Sequence, residues 1–167
     1  MIVCIIYLIV SFILDNVMAD IFPAFIGNIS FFTTIYSVIA LSIIYPYFVN
    51  EKKYFLLVVI FGVLFDILYT STFLVNLVLF IVIGFVIKIL NNVISNNVFM
   101  GNIISIICIV IYHLLSFIIL YINDFGYTFN LFIDIIIHSI IMTIVYSSIS
   151  YFTIGFICNK RDNKFIK

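Results

Sequence analysis

The chain has 167 residues, of which 66% are hydrophobic and 8% charged, with a formal net charge of zero and a mean hydropathy of +1.42. Ordinary globular chains are about 25% charged. A soluble fold would lack the polar side chains to cover its surface, so lipid is the expected solvent for most of this chain. The expected class is an all-α integral membrane protein.

Apolar runs of membrane length fall at about residues 2–19, 29–49, 54–73, 74–90, 101–122 and 130–157. A spanning helix needs about 20 residues, within a range of about 17–25. The first run has no basic region before it and no small-residue cleavage site after it, so it reads as a retained span rather than a signal. Residues 54–90 would make one helix of roughly 55 Å, far thicker than a bilayer. The break at Thr70, Ser71 and Thr72 divides them into a helical hairpin. The expectation is a single domain, 1–167, built as a compact bundle of six transmembrane helices without an internal repeat.

The basic residues are Lys52, Lys53, Lys88, Lys160, Arg161, Lys164 and Lys167. With six spans they all fall on one side, while the opposite loops carry Asp15 or Asp20 after span one and Asp124 after span five. The positive-inside rule then puts both termini in the cytoplasm of a plasma-membrane protein. Tyr45, Tyr47, Tyr54, Tyr121, Tyr127 and Tyr151 are the expected interfacial anchors, since Trp is absent. The basic tail also suits attraction to anionic lipid, although a topology signal is its commoner meaning.

The third run carries Asp66 deep inside, where a charged residue costs roughly 2.5–3.5 kcal/mol on insertion scales. Gly62 and Thr70 lie four residues to either side and share its helix face. Gly admits a close backbone and Thr can hydrogen-bond across the contact, so this face is expected to meet protein. From the topology, Asp66 and His113 lie at similar heights, roughly 18 Å above the cytoplasmic side at 1.5 Å per residue. His138 descends to a comparable level in span six, with Asp134 one turn above it. Together these suggest a midplane-to-outer polar cluster of Asp66, His113, Asp134 and His138, with Asp66 paired to a histidine or polar group of span five or six. A proton or ion pathway is one reading of it. Helix packing is the favoured reading, because no helices broken by Gly or Pro recur in matching halves. Ser139, Thr143, Ser147 and Ser150 form a second stripe at helical spacing, expected to pack internally rather than against a partner.

Cys4, Cys108 and Cys158 are too far apart for a metal or disulfide signature. No phosphate-binding Gly-rich loop, metalloprotease or serine-hydrolase motif, or nucleic-acid motif occurs. The expectation is therefore a non-enzymatic protein with no cofactor, no metal and no nucleic-acid partner.

At Gly62-Val-Leu-Phe-Asp66, followed by Asn76 and Leu79, the chain resembles the MreD family of rod-shape-determining proteins. That family has a Gly-x-x-x-Asp span, a short turn and a Gly-x-His/Asn-x-x-Leu segment. Leu74 stands where the family usually has its second glycine. Lys52, Lys53 and Lys88 are also similar in placement. The resemblance implies a scaffold of the cell-elongation machinery that serves peptidoglycan synthesis. It also implies an MreC-like single-span partner and, through it, MreB and the RodA–transpeptidase wall synthase. It makes Asp66 and Asn76 a polar pair. A reading from another class is the substrate-binding subunit of an energy-coupling-factor vitamin transporter, which is also compact and six-spanning. Such subunits characteristically carry an Ala-x-x-x-Ala contact in the first span, which this chain lacks.

Overall fold

The computed structural model describes residues 2–21, 34–68, 74–93, 97–123 and 128–162, apart from the side chains at 19–21 and 158–162. Among these residues there are six α-helices and no strand. They are α1 (Ile2–Ile21), α2 (Tyr36–Ile44), α3 (Glu51–Leu68), α4 (Val75–Val93), α5 (Val98–Ile122) and α6 (Phe129–Asp162). Three of them, α4, α5 and the Phe129–Ile157 part of α6, are long and apolar enough to cross a membrane by length and composition. α1 and α2 supply shorter apolar stretches, Ile2–Met18 and Tyr36–Tyr47. α3 has 18 residues but carries Glu51, Lys52, Lys53 and Asp66.

α2 is the centre of the bundle, with all nine of its residues buried. α1, α4, α5 and α6 all pack against it. The expected second span, 29–49, is helical only from Tyr36, and residues 29–33 lie outside the described set. Its other end stops at Ile44, where Pro46 turns the chain through a 3-10 turn at Tyr45–Tyr47. Proline removes the N–H that would continue the helix. That turn also accounts for Tyr54. Expected at the interface, Tyr54 is instead fully buried, with its ring edge-on to Tyr45 at 4.9 Å and its hydroxyl 3.4 Å from the carbonyl of Leu41.

α3 and α4 form a tight hairpin. A Cβ added to Gly62 would stand 2.9 Å from the Leu77 Cα, so the two backbones meet there as only glycine permits. Gly84 plays the reciprocal part on α4, 3.2 Å from Val58 Cγ1 by the same measure. At the other end Lys88 Nζ donates to Glu51 Oε2 at 2.7 Å. The Ser/Thr stripe of α6 faces inward, as packing requires. Ser139, Thr143, Ser147 and Ser150 are all buried, and Ser147 donates to Asn102 Oδ1 of α5 at 2.6 Å.

Candidate functional site

Helices begin with main-chain N–H groups that have no partner inside the helix, and an N-cap side chain usually meets those of the second and third residues. α4 begins after Leu74, which is apolar and cannot do so. Asp66, reaching across from α3, takes that role. Its Oδ1 accepts from the N–H of Asn76 at 3.0 Å and from Asn76 Nδ2 at 3.1 Å, while Oδ2 accepts from the N–H of Leu77 at 2.9 Å. These are the second and third residues of α4, the positions an ordinary cap would serve. The Tyr112 hydroxyl of α5 then donates to Asn76 Oδ1 at 2.6 Å. Asp66, Asn76 and Tyr112 are all buried, so one hydrogen-bonded chain ties three helices together in the interior.

The geometry suits a carboxylate as the acceptor. Aligned peptide dipoles place roughly half a positive charge at a helix N-terminus. Together with three N–H donors, this stands in for the water that Asp66 has lost. Leu74 completes the turn at φ 64°, a left-handed conformation that a side chain with a Cβ adopts at a cost of roughly 1–2 kcal/mol.

The sequence-predicted residues are distributed as follows. Gly62, Asp66 and Asn76 come together across the α3–α4 hairpin, and Thr70 lies outside the described residues. His113 is half-buried on α5, with its ring edge-on to that of Tyr112 at 5.9 Å. Asp134 is exposed on α6, and His138 Nδ1 lies 2.7 Å from its main-chain oxygen, a contact local to that helix. Span five does reach Asp66, through Tyr112 and Asn76 rather than through a direct bond from the tyrosine.

A second clasp went unrecognised in the sequence. Asp15, expected in a loop after span one, lies within α1, which continues to Ile21. Its Oδ1 accepts from the N–H of Tyr36 at 2.6 Å and its Oδ2 from the N–H of Ser37 at 3.0 Å, the first two residues of α2. The residue before α2 is Ile35, apolar like Leu74 and without a side-chain cap. The available signal was a buried helix whose start offers no Ser, Thr, Asp or Asn of its own at the cap position. One and two turns back from Asp15 on α1, Ser11 Oγ lies 2.8 Å from the Tyr146 hydroxyl and Tyr7 donates to Ser150 Oγ, which extends a polar seam between α1 and α6.

No family model, curated protein or solved structure matches this chain.

Proposed function

We propose that this protein is a non-enzymatic scaffold of the cell-elongation machinery. In this reading it crosses the plasma membrane six times with both termini cytoplasmic, and it binds the spanning helix of an MreC-like partner. MreB and the RodA–transpeptidase synthase are reached through that partner. The orientation rests on the basic residues, all seven of which fall on one side of a six-span arrangement. The observation that carries the proposal is the α3–α4 hairpin. The four residues that carry the resemblance to the MreD family, Gly62, Asp66, Asn76 and Leu79, are all buried, and Asp66 bonds Asn76 directly. Leu74, the position where the family has glycine, holds a φ of 64°, the conformation glycine adopts most readily. A rigid hairpin of this kind gives a partner's helix a fixed surface, against which association in lipid proceeds by close packing and interhelical hydrogen bonds.

The test is affinity purification from mild detergent after crosslinking in native cells, paired with depletion of the protein. The expected result is co-purification of a single-span protein with an extracytoplasmic coiled coil, and rounding of the depleted cells. Unchanged cell shape combined with lost vitamin uptake would overturn the proposal in favour of a transporter subunit.

A further inference from the structure

A groove of about 560 Å³ opens near the C-terminal end of α6, lined by Tyr151, Phe152, Thr153, Gly155 and Phe156. That volume lies within the range of about 300–1,000 Å³ of ordinary ligand clefts. Its walls are almost all carbon, with Phe152 65% exposed and Phe156 68% exposed. Gly155 keeps the groove open. Among the described residues, the one atom of another element within 4 Å of a Cβ built there is Tyr47 Oη, at 3.9 Å. The space over this glycine is therefore unfilled, and a single hydroxyl stands at its edge.

Charge and register identify the occupant. The apolar part of α6 ends at Ile157, while the helix itself continues to Asp162. Lys160 and Arg161 therefore follow the groove within the same helix. Phe152, Phe156 and Lys160 form one row at four-residue steps, and Thr153, Ile157 and Arg161 form the row beside it. Carbon thus gives way to positive charge along one face. Residues 135–161 contain no Asp or Glu to offset those two cations. An aliphatic chain that ends in a phosphate has the matching order, carbon first and negative charge beyond. A zwitterionic lipid brings its own cation and gains less there. A partner's spanning helix fits poorly, because close helix packing uses small residues and this face sets bulky Phe152 and Phe156 around a single glycine. We propose that the groove seats an acyl chain of an anionic phospholipid, with its phosphate at the level of Lys160 and Arg161. Basic residues at a membrane surface attract anionic lipid in this way. The site rests on the lipid-embedded reading of α6 and not on the scaffold role.

The experiment uses the full-length protein, delipidated in mild detergent and titrated with phosphatidylglycerol or phosphatidylcholine of identical acyl chains. Bound lipid is counted by native mass spectrometry. The expected result is one saturable adduct, formed about thirtyfold more tightly with phosphatidylglycerol, at roughly fivefold per cation. Inorganic phosphate is expected not to displace it, because the acyl chain supplies the contact with the groove. Lys160→Gln combined with Arg161→Gln is expected to bring phosphatidylglycerol down to the affinity of phosphatidylcholine. Gly155→Leu fills the groove and is expected to weaken both lipids about tenfold. Should that variant fail to fold, the double variant decides, since it changes only residues beyond the apolar part of α6. Equal binding of the two lipids by the wild type, displacement by inorganic phosphate, a wild-type preference in the double variant, or wild-type binding by folded Gly155→Leu would each overturn the site.

Discussion

Replacing Asp66 with alanine isolates the contribution of the clasp. The substitution leaves the N–H groups of Asn76 and Leu77 and the Asn76 amide facing an apolar interior. Each buried polar group left unmet costs about 1–3 kcal/mol. Some relief is available because Leu77 is only half-buried, which brings the expected loss to about 3–5 kcal/mol. For a chain of this size that corresponds to a fall in Tm of roughly 6–20 °C. Asp66→Asn keeps the shape and one acceptor but turns an NH2 group toward a donor, so about 1–3 kcal/mol is expected. The assay is thermal unfolding of the detergent-purified protein, followed by a double-mutant cycle with Asn76→Ala. Coupling of about 1–2 kcal/mol is expected for residues in direct contact. Asp134→Ala serves as the control, because that side chain is exposed and its removal should fall within about 0.5 kcal/mol. If Asp66→Ala melts with the wild type, or if the two changes add within about 0.3–0.5 kcal/mol, the clasp does not hold the hairpin.

Leu74→Gly relieves a left-handed backbone and is expected to stabilise by about 0.5–1 kcal/mol, read as a Tm rise of roughly 1–4 °C. Gly62→Leu would drive a side chain into the α4 backbone, and a loss of about 3 kcal/mol or more is expected, seen as poor recovery of monodisperse protein from detergent. Tyr112→Phe leaves Asn76 Oδ1 without its donor and should lower stability by about 1 kcal/mol, without changing the effect of Asp66→Asn by more than the coupling of the shared chain. Glu51→Ala breaks an exposed ion pair with Lys88 and is expected to change Tm by no more than about 2–4 °C, an effect that shrinks further in high salt.

The hairpin was legible in part. The four-residue step from Gly62 to Asp66 defines one helix face, but the residues alone pointed Asp66 to span five or six, and only the resemblance to the MreD family paired it with Asn76. Asp15 was not legible, because an acid near the end of an apolar run looks the same whether it faces a loop or a neighbouring helix. Nor was the start of α2, since residues 29–35 read as apolar whether or not they are helical. Tyr54 failed for a related reason: proximity to Lys52 and Lys53 suggested the interface, whereas the turn at Pro46 folds Tyr45 and Phe48 over its ring. In lipid both the inner and outer faces of a helix are apolar, so hydropathy cannot separate them, and small or polar residues carry the signal instead. That is why the Ser/Thr stripe of α6 pointed inward correctly, while the covering of α2 on all sides left no mark in its sequence.

The same device joins α1 to α2 and α3 to α4. In each pair a carboxylate late in one helix accepts consecutive N–H groups at the start of the next, and in each pair the capping position is held by an aliphatic residue, Ile35 or Leu74. An acid in this position meets two needs at once in a packed interior: an orphaned helix terminus and a carboxyl group removed from water. Each supplies what the other lacks, because the terminus brings N–H donors and roughly half a positive charge. An intramembrane carboxylate is ordinarily read as a pathway residue. Asp66, met on both oxygens, has its chemistry absorbed by the fold. Asp15 likewise accepts the first two N–H groups of α2, so its carboxyl group is spent on starting that helix.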